Sequence, residues 1–181
     1  MTATLEITPK HKLLALANKE VKIPRLGLRH RMMFDVDKSH EQSLKDLLQS
    51  IHPALSMAER DLVMLHVLTY NDRVPNSKTV DGIEYHVDSA SICQKLKFEY
   101  NGLTYKFKSP NMEMMQGPID LMLGECCVFV RSGETKVEVP DFLDMPAFVA
   151  HWAEQISTTI HMPGPNGTIK GLRNIVEFLS E

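Results

Sequence analysis

The chain has 181 residues, 43% of them hydrophobic, and a net charge of −3 at pH 7. That is ample for one domain with a real core, and the charge balance gives no whole-chain argument for a nucleic-acid binder. Three cysteines, two of them adjacent at Cys126 and Cys127, do not make a disulfide framework and suggest a reducing compartment.

The N-terminus has no charged start followed by an apolar core, so no signal peptide is expected. No apolar run approaches about 20 residues, so no membrane span is expected either. Charge is unevenly spread. Residues 1–38 hold eight Lys/Arg against four Asp/Glu, whereas residues 39–181 carry a net −7. A basic arm on an acidic body can dock on a neighbour or touch nucleic acid.

Residues 1–38 read as that extended basic arm. Leu13 to Ala17 has the apolar density for one helical turn. Glu20 to Arg29 is punctuated by Pro24 and Gly27 and reads as extended, with Pro24 confining it to a sheet edge or a linker. Arg29-His30-Arg31 then leads into Met32-Met33-Phe34.

From residue 39 to 181 the chain reads as a single α+β domain. Residues 39–76 are a helical pair. Ser39 with Gln42, and Ser56 with Glu59, have the three-residue spacing of a capping box. Leu44, Leu47, Leu48 and Ile51 form one stripe, and His52-Pro53 ends that helix. The second helix is apolar over most of its circumference, from Leu62 to Leu68, and belongs near the centre of the core.

Residues 77–140 are a β-rich lobe. Asp81-Gly82 marks one tight hairpin. Asn101-Gly102, between Lys95 and Lys108, marks a stronger one, because Asn-Gly supplies both φ > 0 residues of a type I′ turn. Closing the chain there pairs Tyr100 with Leu103, Phe98 with Tyr105 and Leu96 with Phe107, all on one face. The other face takes Lys95, Lys97, Lys106 and Lys108. Gly117-Pro118 opens a short helix from Ile119 to Leu123 that Gly124 closes, and Cys126 to Val130 is strand-like.

Residues 141–181 read as C-terminal helices. Asp144 caps one, with Pro146 in its first turn and Phe148, Trp152 and Ile156 at four-residue steps. After the loop at 163–167, Thr168 caps another carrying Ile169, Leu172, Ile175, Val176 and Leu179. The architecture expected is a helical body from both chain ends with an inserted antiparallel β-hairpin lobe and the extended N-terminal arm.

Chemistry is sparse. Cys126-Cys127 lacks the Cys-x-x-Cys spacing that lets thiolates converge, so no metal and no cofactor is assigned. The eight histidines are scattered, and His66 in the apolar helix reads as a core or interface residue. No nucleophile elbow, zinc-protease motif, phosphate loop or Rossmann glycine triplet is present, so no catalytic residue is assigned and the chain does not read as an enzyme. The hairpin splits its lysines from its aromatics, whereas a single-strand platform needs both on one surface, so nucleic acid is disfavoured.

One succession is familiar. A Pro-containing basic arm is followed by Ser-Leu-Lys-Asp-Leu-Leu-Gln-Ser-Ile-His-Pro at 43–53, then Met-Ala-Glu-Arg-Asp-Leu-Val-Met-Leu-His-Val-Leu at 57–68, then a strand-rich lobe. This resembles the small baseplate hub and hub-assembly proteins of T4-like contractile-tailed phages, over residues 20 to 110. The cysteine pairing of some relatives' lobes is missing here.

The resemblance implies a structural part in a tail baseplate hub, a virion location after assembly in the host cytoplasm, and other hub or tail proteins as partners. Homo-oligomerisation within a symmetric assembly is compatible with it. A transient hub-assembly chaperone is the alternative, and a small nucleic-acid-binding module a further one. Arg25, Arg29, Arg31 and Phe34 are the candidate partner-binding residues, offering forked donors and an apolar anchor on a segment with little core of its own. The competing expectation is that the arm folds back on the acidic body.

Overall fold

The computed structural model describes residues 10–31, 39–111 and 113–181. It mixes helices with small antiparallel sheets, an α+β arrangement.

Strands β1 (His11–Leu16) and β2 (Lys19–Pro24) pair antiparallel, from Leu16 opposite Lys19 to His11 opposite Pro24. A strand therefore replaces the helical turn expected at 13–17. The reason is period-two burial. Val21 and Ile23 are fully buried on one face of β2, while Leu14 and Leu16 of β1 pack half-buried beside them. Five residues of helix would have turned part of that apolar set to solvent. Pro24 ends β2 where no ladder N–H is needed.

A single turn, α1 (Leu28–Arg31), follows, and then the expected helical pair α2 (His40–Ile51) and α3 (Met57–Tyr70). The α3 capping box is complete: Ser56 Oγ accepts from Glu59 N, and Glu59 Oε2 accepts from Ser56 N at 2.7 Å. In α2 only half forms. Ser39 Oγ accepts from Gln42 N, but the Gln42 side-chain amide donates to Asp46 instead.

The lobe contains β3 (Ser77–Val80) and β4 (Ile83–His86), joined at Asp81-Gly82 with both φ positive. The short β5 (Ser91–Ile92) comes next. Strands β6 (Lys97–Tyr100) and β7 (Leu103–Phe107) meet at Asn101-Gly102 in the expected register, Tyr100 opposite Leu103 and Phe98 opposite Tyr105. The N–H of Phe107 donates to the Leu96 carbonyl, which completes the predicted face.

Helix α4 (Ile119–Cys126) starts after Pro118 as expected but runs through Gly124, so Cys126 is its last residue and strand β8 (Cys127–Ser132) begins one position late. Strand β9 (Thr135–Val137) completes the sheet order β6-β7-β8-β9.

The C-terminal part departs most from expectation. Asp144 caps no long helix. Short 3-10 turns at Phe142–Asp144 and Ala147–Val149 precede α5 (Ala150–Ser157). Pro146 is the cause: the residue before a proline is driven out of the helical region, and Met145 has ψ 156°. Thr168 likewise caps no helix. Strand β10 (Ile160–Gly164) and strand β11 (Gly167–Lys170) form a hairpin about Pro165-Asn166, with Thr168 opposite Pro163. Helix α6 (Leu172–Ser180) starts only after Gly171, at φ 84°. Strand β5 adds to β10, giving the order β11-β10-β5.

Three apolar clusters result. One joins Val21 and Ile23 to Leu47, Val63 and Val67. One joins Leu62 and Leu65 to Ile160, Met162, Ile175 and Leu179. The third packs Phe98, Tyr105 and Phe107 around Trp152, with the Phe98 and Trp152 rings stacked at 4.8 Å. Ile23→Ala should lower unfolding free energy by roughly 2–5 kcal/mol in urea titrations, as a buried large-to-small change does. An unchanged midpoint would remove the hairpin from the core.

Candidate interaction surface at the N-terminal hairpin

The hairpin is tied to the body by polar contacts at both ends. At the Pro24 end, Asn71, the cap of α3, donates from its side-chain amide to the Pro24 carbonyl (3.1 Å) and accepts from Leu26 N (2.6 Å). Arg25 donates from Nη1 to Asp72 Oδ2 at 2.6 Å, and its guanidinium carbon lies 4.6 Å from the Tyr70 ring centroid. The hydrogen bond to Asp72 raises the Arg25 pKa further. Half of the Arg25 side chain stays exposed, so an outer face remains for a second acceptor.

Beyond Arg25 the chain turns. The Gly27 N–H donates to His30 Nδ1, and the His30 N–H donates to the Gly27 carbonyl. This sets α1, which presents Leu28 at 78% exposure. Arg29 and Arg31 contribute backbone to α1, but their side chains lie outside the described residues, as does Phe34. Of the four candidate residues the structure therefore places one in full, and it gives that one an in-chain partner.

The opposite flank holds a cluster that sequence reading missed. Lys12 Nζ donates to Asp88 Oδ1 at 2.7 Å and to His66 Nδ1 at 3.3 Å, joining β1 to α3 and to the turn before β5. These residues are 54 and 76 positions from Lys12, and no local pattern signals such a pairing. They stand at one end of a groove of about 480 Å³ between β1 and Ser91-Ile92, floored by Leu62 and His66. Among the described residues β1 has a strand neighbour on one side only, so its other edge faces this groove.

His66 is 2% exposed. Burial first, then the neighbouring Lys12 charge, pushes its pKa down to about 4. It is a neutral acceptor for Lys12 at neutral pH, as the core or interface reading expects. Lys12 in turn holds the Asp88 carboxyl below its usual range.

The thiols sit in unreactive settings. Burial pushes Cys127 up to about 11, and also raises Cys126 and Cys93. Cys126 is wholly buried, its Sγ 3.8 Å from Met114 Sδ. Nucleophilic thiolates need the opposite, an electropositive and partly open site. Among the described residues no three His, Cys, Asp or Glu side chains gather as a metal site would require, and no helix is long and apolar enough to cross a membrane.

Sequence comparison adds the remaining observation. A family model described as the baseplate hub distal subunit matches residues 23–179. The chain belongs to that family. The baseplate hub assembly protein gp28 of Enterobacteria phage T4 is 39% identical to it over 176 residues, which cover 97% of this chain and 98% of the relative. No solved structure matches. The family match begins inside β2, so it takes in Arg25, α1 and both body helices and leaves β1 outside.

Two measurements test this geometry. From about pH 6.5 down to about 4 the unfolded chain binds a proton at His66 that the folded chain refuses. Stability from His66 is therefore present above that window and lost as pH falls through it, by at most roughly 3 kcal/mol. Asp61, whose carboxyl burial raises, contributes with the opposite sign, so the comparison needs a His66→Gln variant. Urea titrations at pH 7 and pH 4.5 should show a larger acid loss in the native chain, and equal losses would argue against a neutral buried His66. For the thiols, iodoacetamide should label Cys127 slowly at pH 7 and faster only as pH nears 11. Rapid modification at pH 7 would show that Cys127 is reactive and overturn this account of its setting.

Proposed function

We propose that this baseplate hub family member works as a structural component of the tail baseplate hub, through protein–protein contacts during tail assembly and without catalysis. The family match over residues 23–179 carries the reading. The thiols' settings and the one-sided hairpin are compatible with it. Among the described residues β1 has one unpaired edge beside a groove, a kind of surface that proteins use for one another.

The contact residues in this reading are Arg25, at the end of the hairpin, and Arg29, Arg31 and Phe34, which follow it in the sequence. Arg25 keeps Asp72 as its in-chain partner and offers its outer face. Other hub or tail proteins are the partners, with nucleic acid disfavoured and a repeated copy of this chain compatible with a symmetric assembly. The location is the virion's tail baseplate, reached after assembly in the host cytoplasm. A second reading, a transient hub-assembly chaperone, is favoured by the 39% identical relative, a baseplate hub assembly protein.

The test is purification of tagged chain from infected cells, native against an Arg29→Glu/Arg31→Glu variant, with mass spectrometry of co-eluting proteins. The native chain should bring down tail proteins. The variant should bring down about tenfold less, since a reversed contact replaces attraction by repulsion. Equal recovery would remove the arginines from the interface. Presence in finished virions selects the structural reading, and presence only in assembly intermediates selects the chaperone.

A further inference from the structure

The sheet β6-β7-β8-β9 buries one face on Trp152 and leaves the other outward. Register decides what that outer face carries. Lys97 lies directly opposite Lys106, and Phe129 is next in the same row. The adjoining row holds Glu99, Thr104, Arg131 and Lys136, with Arg131 directly opposite Lys136. Paired residues on neighbouring strands point to the same side, so four cations share one surface.

Two of the cross-strand pairs are like-charged, an arrangement that weakens a sheet. Glu99 offsets only Lys97, at 3.5 Å. Among the described residues no carboxylate pairs with Lys106, Arg131 or Lys136. A face kept polar only for solubility would serve as well with alternating signs, and those pairs would then attract. Residues 39–181 carry a net −7, and these four cations gather on one face within them.

We propose that this face docks an acidic segment of another baseplate hub protein, its carboxylates meeting Lys106, Arg131 and Lys136. The proposal rests on the hub reading above and names the chemistry of one partner. Protein is favoured over nucleic acid by the state of Phe129. The Arg131 guanidinium lies over that ring, 4.4 Å from its centroid, and already takes one of the faces on which a base would stack. A two-fold contact with a second copy is disfavoured because the same basic rows would meet each other.

The test uses the full chain in infected cells. A Lys106→Glu/Arg131→Glu variant places opposite charges across from Lys97 and Lys136, so its thermal midpoint should hold or rise. Its co-sedimentation with baseplate hub complexes should nevertheless fall about tenfold against the native chain. A photo-cross-linking residue at position 104, between the two rows, should give an adduct whose sequenced peptide is an acidic stretch of a hub protein. Native-level co-sedimentation of a folded variant overturns the proposal. So does an adduct only with nucleic acid, with another copy, or with a peptide lacking carboxylates, and so does no adduct above a control site. If the native chain itself fails to sediment with hub complexes, the hub reading falls and this proposal falls with it. If the native chain sediments and the variant matches it, this face alone is excluded.

Discussion

Burial of one helix on almost every side is the constraint on which the rest depends. In α3, Leu62 and Leu65 belong to one apolar cluster while Val63 and Val67, one and two positions away, belong to another. A helix hydrophobic around its circumference cannot rest on a surface. It needs partners on opposite sides. The N-terminal hairpin with α2 supplies one side, and α6 with the β10-β11 hairpin supplies the other. The two ends of the chain are brought to the same helix for this reason, although most of the sequence lies between them.

The polar contacts follow from that burial. His66 sits within the same apolar helix and stays neutral because its surroundings resist charge. It can then accept from Lys12, which also reaches Asp88, and three distant segments meet at one point. At the other end of α3, Asn71 and Asp72 take the groups that the hairpin presents as it leaves the body. Residues 10–25 thus pack as a layer on the body, with Lys10, Lys22 and Arg25 exposed on its outside.

The lobe is organised separately, around Trp152. Aromatic residues from β6 and β7 pack on a helix that arrives 40 or more positions later, and this fixes which face of the sheet is dry. Once that face is chosen, period-two alternation sends Lys97, Lys106, Arg131 and Lys136 outward together. The concentration of positive charge is a consequence of register across four strands. It does not show in the hairpin alone, where only two of those four residues lie.

Local pattern was enough for the features whose cause is local. Asn101-Gly102 and Asp81-Gly82 close turns because their own backbones accept φ > 0, and both hairpins stand where the sequence puts them. Ser56 with Glu59 caps α3 by a contact spanning three residues. The apolar circumference of α3 announced its burial, and the run of motifs at 43–68 carried the family. What the sequence left open required knowing what each segment packs against. Leu13 to Ala17 is as apolar as a helical turn, and only burial of Val21 and Ile23 against α2 and α3 makes it a strand. Ile169 suits a helix equally well, and pairing across from Met162 puts it in a hairpin. Short apolar runs fit either period, and long-range contacts decide between them. The Lys12–His66–Asp88 cluster and the Arg25–Asp72 pair depend wholly on such contacts. Charge and hydrogen-bonding capacity are written in the sequence, but partnership is a distance, and distance between remote residues is set by the fold.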